Sequence, residues 1–186
     1  GHFIVFKKQN LKSEQYKINI KKDSILIEYS DYGGKFYSII TLIQLINFYN
    51  TNLPLGIIED KPSLNWRGMH LDCARQFYTI DEIKRLMDYM CFFKLNRFHW
   101  HLTDNEAWRV ELDCYPNLTK VGAFRGYNHT IPPFYGTGYN KTGGYYSRSQ
   151  INELIQYARQ RNIEIMPEID LPAHSWTLLQ VMPELR

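Results

Sequence analysis

Apolar and polar residues alternate with period two over Tyr16–Ile20 and again over Ser24–Tyr29. The Lys21-Lys22-Asp23 segment between them is turn-like, so the pattern predicts two strands joined as a hairpin. Gly33-Gly34 interrupts it. From about Phe36 to Phe48, Ile39, Leu42, Ile43 and Ile46 recur at three-and-four spacing, the mark of an amphipathic helix. A single hairpin and a helix are marginal alone, so this unit is expected to join a larger sheet with strands outside the chain, or to dock on the segments C-terminal to it. Residues 52–62, with Pro54, Gly56 and Pro62, read as a linker.

Beyond the linker the pattern becomes strand–helix alternation. A strand is expected over 65–73. Thr79 with Glu82 forms a capping box for a helix with Ile80, Ile83, Met87 and Met90 on one face. A strand follows over 95–101, then a Gly/Pro/Tyr/Asn-rich loop over 122–144. Ser147 with Gln150 caps a second helix with Ile151, Leu154, Ile155 and Ala158 as its buried stripe. A third strand is expected over 163–168 and helix over 171–185. Short strands alternating with helices predict an α/β fold with a parallel sheet. A closed barrel takes about 250 residues, so the pattern fits a small open sheet or the first part of a (β/α)8 barrel.

The chain has 186 residues, with 22 Lys+Arg against 19 Asp+Glu and a formal charge of +3. That balance, spread evenly, excludes an electrostatic nucleic-acid surface. No apolar run reaches the roughly 18 residues of a membrane span, and the chain does not open with a signal-peptide pattern. Cys73, Cys91 and Cys114 lack metal-like spacing and are expected to be buried free thiols. Aromatic residues make up 15% of the chain, which favours a site for flat or sugar-like ligands.

In α/β folds ligands bind at the carboxyl ends of parallel strands. Three polar clusters fall there: Asp72–Arg75, His99–Asp104, and Glu168-Ile169-Asp170 with His174. Arg75 offers a fork of donors for two neighbouring hydroxyls or a carboxylate, or a salt bridge to a strand-end acid. His99 and His101 share a strand face opposite Trp100. They could chelate a metal with help from His174, Asp104 or Asp170, or serve as hydrogen-bonded polar residues beneath a sugar site. Glu168 and Asp170 are expected on one strand face about 6–7 Å apart. That suits acid/base work, or a structural role in which one carboxylate orients His174, four residues beyond Asp170.

These clusters, taken as motifs, resemble glycoside hydrolase family 20, the β-N-acetylhexosaminidases. The stretches are Trp66 to Arg75 (WRGMHLDCAR), Lys94 to Asp104 (KLNRFHWHLTD) and Pro167 to His174 (PEIDLPAH), supported by Tyr115–Thr119 and Gly122-Ala123. The stretch from Tyr16 to Leu45 is similar to the end of the α+β domain that precedes the family's barrel. The resemblance implies residues 1–60 as the C-terminal portion of that accessory domain. It implies residues 61–186 as the first three to four βα units of a TIM-barrel catalytic domain. It further implies an exo-acting, substrate-assisted retaining hydrolase of N-acetylhexosamine-terminated glycans, with no metal and no cofactor.

Carried over, Arg75 is the sugar-binding arginine, and Asp104 and His174 are a network supporting the catalytic acid. His101, Glu168 and Asp170 are active-site floor. The family's catalytic Asp-Glu pair follows the next strand and is expected beyond residue 186, since the one Asp-Glu here, Asp81-Glu82, opens a helix. The chain alone is therefore expected to be inactive, and to self-associate through its open barrel edge. The resemblance also implies a secreted, periplasmic or lysosomal protein. Two other classes compete: a metal-dependent barrel hydrolase using His99 and His101, and a non-catalytic sugar-binding module.

Overall fold

The computed structural model describes residues 3–50, 52–134 and 138–185. They divide into two compact units, one running to Arg67 with Tyr89–Asn96, the other formed by Gly68–Asp88 and residues from Arg97 on.

The first unit is a four-stranded sheet with one helix. Its strands are β1 (Phe3–Lys8), β2 (Tyr16–Ile20), β3 (Ser24–Tyr29) and β4 (Gly56–Asp60), and its helix is α1 (Tyr32–Tyr49). The order is β1-β3-β2-β4, with β2 antiparallel to both β3 and β4, and β1 parallel to β3. The predicted hairpin is present, with Ile18 opposite Ile27. Its period-two pattern places Tyr16, Ile18, Ile20, Ile25 and Ile27 in one buried cluster with Tyr37 and Leu42 of α1.

Two expectations are corrected by this unit, whose sheet has four strands among the described residues. Residues 52–62 are not only linker: Ile57-Ile58-Glu59 pairs with β2, a short edge strand masked by flanking Pro and Gly. Gly33-Gly34 does not break the pattern but lies buried in the first turn of α1. There Asp31 caps the helix by accepting from the Gly34 N–H at 2.9 Å. A Cβ at Gly34 would stand 2.5 Å from the Gln15 carbonyl oxygen, so glycine permits close packing of the helix start.

The second unit centres on three parallel strands, β5 (Gly68–Asp72), β6 (Arg97–His101) and β11 (Glu164–Glu168), in the order β11-β6-β5. This is mixed α/β structure, and among the described residues the sheet is open, not a closed barrel. Between β6 and β11 come two short ladders: β7 (Thr103–Asp104) with β8 (Ala107–Trp108), and β9 (Phe124–Arg125) with β10 (Thr142–Gly143). The helices are α2 (Ile80–Phe92), α3 (Asn117–Lys120), α4 (Arg148–Arg159) and α5 (Trp176–Val181), followed by a 3-10 turn over Pro183–Leu185. No described helix is long and apolar enough to cross a membrane.

Alternation on β6 buries Phe98 and Trp100 on one face and sends His99 and His101 to the other. Ile83 and Met87 of α2, and Leu154 and Ala158 of α4, are fully buried at the predicted spacings. Cys73 is buried, with its Sγ accepting from Trp100 Nε1 at 3.2 Å. Cys114 is exposed, against expectation, because it sits in the turn before α3.

Both predicted capping boxes form. At α4, Ser147 Oγ accepts from Gln150 N at 3.2 Å, and Gln150 Oε1 accepts from Ser147 N at 2.9 Å. Ser147→Ala is expected to cost about 1 kcal/mol, seen as a lower urea midpoint with unchanged slope.

Candidate active site

Strand register sets the site. Asp72, His101 and Glu168 are directly aligned at the carboxyl ends of β5, β6 and β11. The polar residues that follow each strand therefore start from one level.

At β5, Asp72 turns the chain back on itself. Its Oδ1 accepts from Ala74 N at 3.1 Å and Arg75 N at 3.0 Å. Its Oδ2 takes Arg75 Nη1 at 2.9 Å. Burial alone would raise the Asp72 pKa, but Arg75's donations and nearby His101 outweigh it and hold the carboxyl below its ordinary value. Arg75 is further paired with Asp104 at 2.7 Å through Nη2 and with Glu106 at 3.2 Å through Nε. Its guanidinium thus has three carboxylate partners and still keeps 35% of the side chain exposed. Burial works against its charge, yet these carboxylates raise its pKa well above the ordinary value. The salt bridge foreseen for Arg75 is present, and part of its side chain stays exposed.

Asp104 is the hub. Its side chain is 1% exposed. Oδ1 faces His174 Nδ1 at 3.1 Å, and Oδ2 faces His101 Nε2 at 3.3 Å. His174 stands in the left-handed region, with φ 55°. The Asp–His pair is therefore Asp104–His174. The Asp170–His174 pairing anticipated from spacing is not formed, because Asp170 follows the end of β11 and turns its carboxylate toward His101 Nε2, 3.5 Å away. The same turn takes Asp170 off the strand face it was expected to share with Glu168. Its backbone N–H donates to Thr103 Oγ1 at 3.0 Å.

His101 Nε2 lies 2.8 Å from the Thr103 carbonyl oxygen. A carbonyl only accepts, so this nitrogen carries the proton. Glu168 Oε2 contacts His99 Nε2 at 2.6 Å and His70 Nε2 at 3.6 Å.

Among the described residues, two sets of side chains bring potential metal-ligand atoms within 4.8 Å of one another: His70, His101 and Glu168, and His101, Asp104 and Asp170. His99 belongs to neither set, although its Nε2 lies 2.6 Å from Glu168 Oε2. These groups also contact one another, with Asp104 Oδ2 and Glu168 Oε2 held by charge contacts and without a hydrogen bond.

Glu106 was missed from sequence. It is 4% exposed and paired with Arg75. The available signal was its place two residues after Asp104, in the turn between β7 and β8.

Residues 64–186 match the family model described as glycosyl hydrolase family 20, catalytic domain, and residues 2–61 match that for domain 2 of the same family. The chain is 40% identical over 171 residues to a beta-hexosaminidase of Vibrio furnissii, covering 91% of this chain and 28% of that protein. It is 40% identical over 172 residues to the N,N'-diacetylchitobiase of Vibrio harveyi, covering 88% and 20%. A solved structure, a GH20 exo beta-N-acetylglucosaminidase from Vibrio harveyi in complex with N-acetylglucosamine, superposes with a TM-score of 0.91 at 39% identity, covering 98% of this chain and 29% of that one. The chain thus spans 20 to 29% of the length of these relatives. With the catalytic-domain model matching from residue 64 on and the domain 2 model matching before it, the chain belongs to glycosyl hydrolase family 20.

Proposed function

We propose that the chain is part of an exo-acting β-N-acetylhexosaminidase that removes terminal β-linked N-acetylglucosamine or N-acetylgalactosamine from glycans. The observation that carries this reading is the convergence on Asp104. It gathers Arg75, His101 and His174 from the carboxyl ends of β5, β6 and β11 around one buried carboxylate. On this reading the exposed part of Arg75 grips the 3- and 4-hydroxyls of the terminal sugar. The Asp104–His174 pair supports the catalytic acid from below, and His101, Glu168 and Asp170 form the floor.

The reaction is substrate-assisted. The substrate's acetamido oxygen attacks the anomeric carbon while a glutamic acid protonates the leaving oxygen, and the bond between them breaks. An aspartate holds the acetamido N–H of the resulting oxazoline-type intermediate. Water then adds at the anomeric carbon as the bond from that carbon to the acetamido oxygen breaks, which restores the acetamido group, and the water's proton goes to the glutamate. The sequence offers one Asp-Glu, Asp81-Glu82, and Glu82 is held in the α2 capping box by Thr79 N at 2.6 Å. The acid–aspartate pair is therefore assigned outside these 186 residues, in a secreted, periplasmic or lysosomal polypeptide. In the isolated chain, the exposed edge of the parallel sheet pairs instead with a second copy.

Loss of the general acid alone removes roughly 10²–10⁴ in rate. The 186-residue chain is expected to show no turnover of an aryl N-acetyl-β-glucosaminide, and the polypeptide that carries it to hydrolyse this substrate. Turnover by the chain alone, abolished by an oxazoline-mimicking inhibitor, would overturn the division of labour. Failure of the complete polypeptide to cleave would overturn the function.

A further inference from the structure

Arg109, which follows β8, is 1% exposed. Its guanidinium makes hydrogen bonds to main-chain carbonyls from three separate segments. Nε donates to Cys73 O at 2.9 Å and Nη2 to Ala74 O at 2.9 Å. Nη1 donates to Ala123 O at 2.5 Å and to Gly144 O at 2.9 Å. Burial comes first in pushing its pKa down, and neighbouring Arg125 adds to the effect, to about 10. A buried cation held by carbonyl dipoles is costly unless the geometry is well satisfied. Only the planar, five-donor fork of arginine spans carbonyls on three segments, since lysine has three donors on one atom.

The socket is shaped for this fork. Gly143 has φ 128°, and a Cβ there would stand 2.1 Å from Ala123 O and 3.0 Å from Arg109 Nη1. A Cβ at Gly144 would stand 2.6 Å from the Phe77 ring. Both glycines therefore let the segment approach closely enough to be held.

What the socket holds is the main chain leading into Arg75. Cys73 N donates to His101 O at 2.9 Å. Ala74 O and Cys73 O are taken by Arg109, and Arg75 O accepts from Arg125 Nη2 at 2.6 Å. We propose that Arg109 is a positioning residue for Arg75: it locks the β5 exit to the 123 and 144 segments, so that the Arg75 guanidinium meets the terminal sugar at a set place and angle. This inference rests on the reading of Arg75 as the sugar-binding arginine. Displacement of a binding group by about 1 Å can lower rate a hundredfold.

The test uses the hexosaminidase polypeptide that carries this chain. Arg109→Lys is expected to lower kcat/KM for an aryl N-acetyl-β-glucosaminide at least tenfold, mainly through KM, with kcat changed less than threefold. In an Arg75→Ala background the same substitution is expected to cost less than threefold. Equal losses in both backgrounds would overturn the proposal, since they would mean a general structural role. Amide hydrogen exchange over 73–76 is expected to accelerate at least tenfold in Arg109→Lys, with β2 and β3 unchanged; unchanged exchange over 73–76 would also overturn it. If Arg75→Ala by itself leaves kcat/KM unchanged, the sugar-site reading fails, while exchange still decides whether Arg109 holds the segment. Should Arg109→Lys not fold, Arg125→Lys takes its place with the same readouts, because Arg125 holds the Arg75 carbonyl from outside the four-carbonyl socket.

Discussion

Replacing Arg75 with alanine is expected to lower kcat/KM of the complete enzyme by about 10²–10³-fold. A guanidinium bridging two sugar hydroxyls makes two charge-assisted hydrogen bonds, each worth about 1.5–3 kcal/mol. A combined loss of about 3–4 kcal/mol corresponds to two to three powers of ten. The substitution also strips the shared cation from Asp72, Asp104 and Glu106, so lost folding could imitate lost binding. Arg75→Lys separates the two. It keeps a positive charge among the carboxylates, and the protein is expected to fold. Lysine cannot present a fork, so kcat/KM is still expected to fall more than tenfold. Steady-state kinetics with an aryl N-acetyl-β-glucosaminide checks both variants. An Arg75→Ala enzyme within threefold of the parent removes Arg75 from the sugar site.

Much of this arrangement was legible in the sequence because its signals are local. Period-two alternation marked β2 and β3, and the S-x-x-Q and T-x-x-E pairs marked the helix starts. The strand-end motifs held Arg75, Asp104 and His174, which the fold brings together. What escaped was decided by distant partners. β4 is a strand because β2 offers it an edge, and Gly34 is glycine because the Gln15 carbonyl packs against the helix start that Asp31 caps. Asp104 takes His174 across 70 residues, whereas the nearer Asp170 turns to His101. Sequence spacing offered Asp170 as one possible partner, but β11 closes at Glu168 and Asp170 lies past its end. Arg109 gave no pattern at all, since its partners are carbonyls, which every residue carries.

Asp104→Ala is expected to be the most destabilising single change within the site. Its carboxylate is almost fully buried and is approached by Arg75, His101 and His174. It also accepts the Asn105 backbone N–H at 2.6 Å. Removing one partner of a buried ion pair typically costs 3–5 kcal/mol, because the remaining charge is left in a poor solvent. Arg75 keeps Asp72 and Glu106, which places the expected loss near the lower end, about 3 kcal/mol. For a chain of this size that is a fall of roughly 6–12 °C in Tm. Asp104→Asn preserves the shape and an acceptor oxygen for the Asn105 N–H while removing the charge, so about half the loss is expected. Trp100, Trp108 and Trp176 lie in the unit that holds Asp104, so tryptophan fluorescence follows its unfolding. If the carboxylate acts through His174, the combined Asp104→Ala and His174→Ala loss will fall short of the sum of the single losses. An Asp104→Ala chain that melts within 1 °C of the parent would show that the three strand ends are held together by something other than this carboxylate.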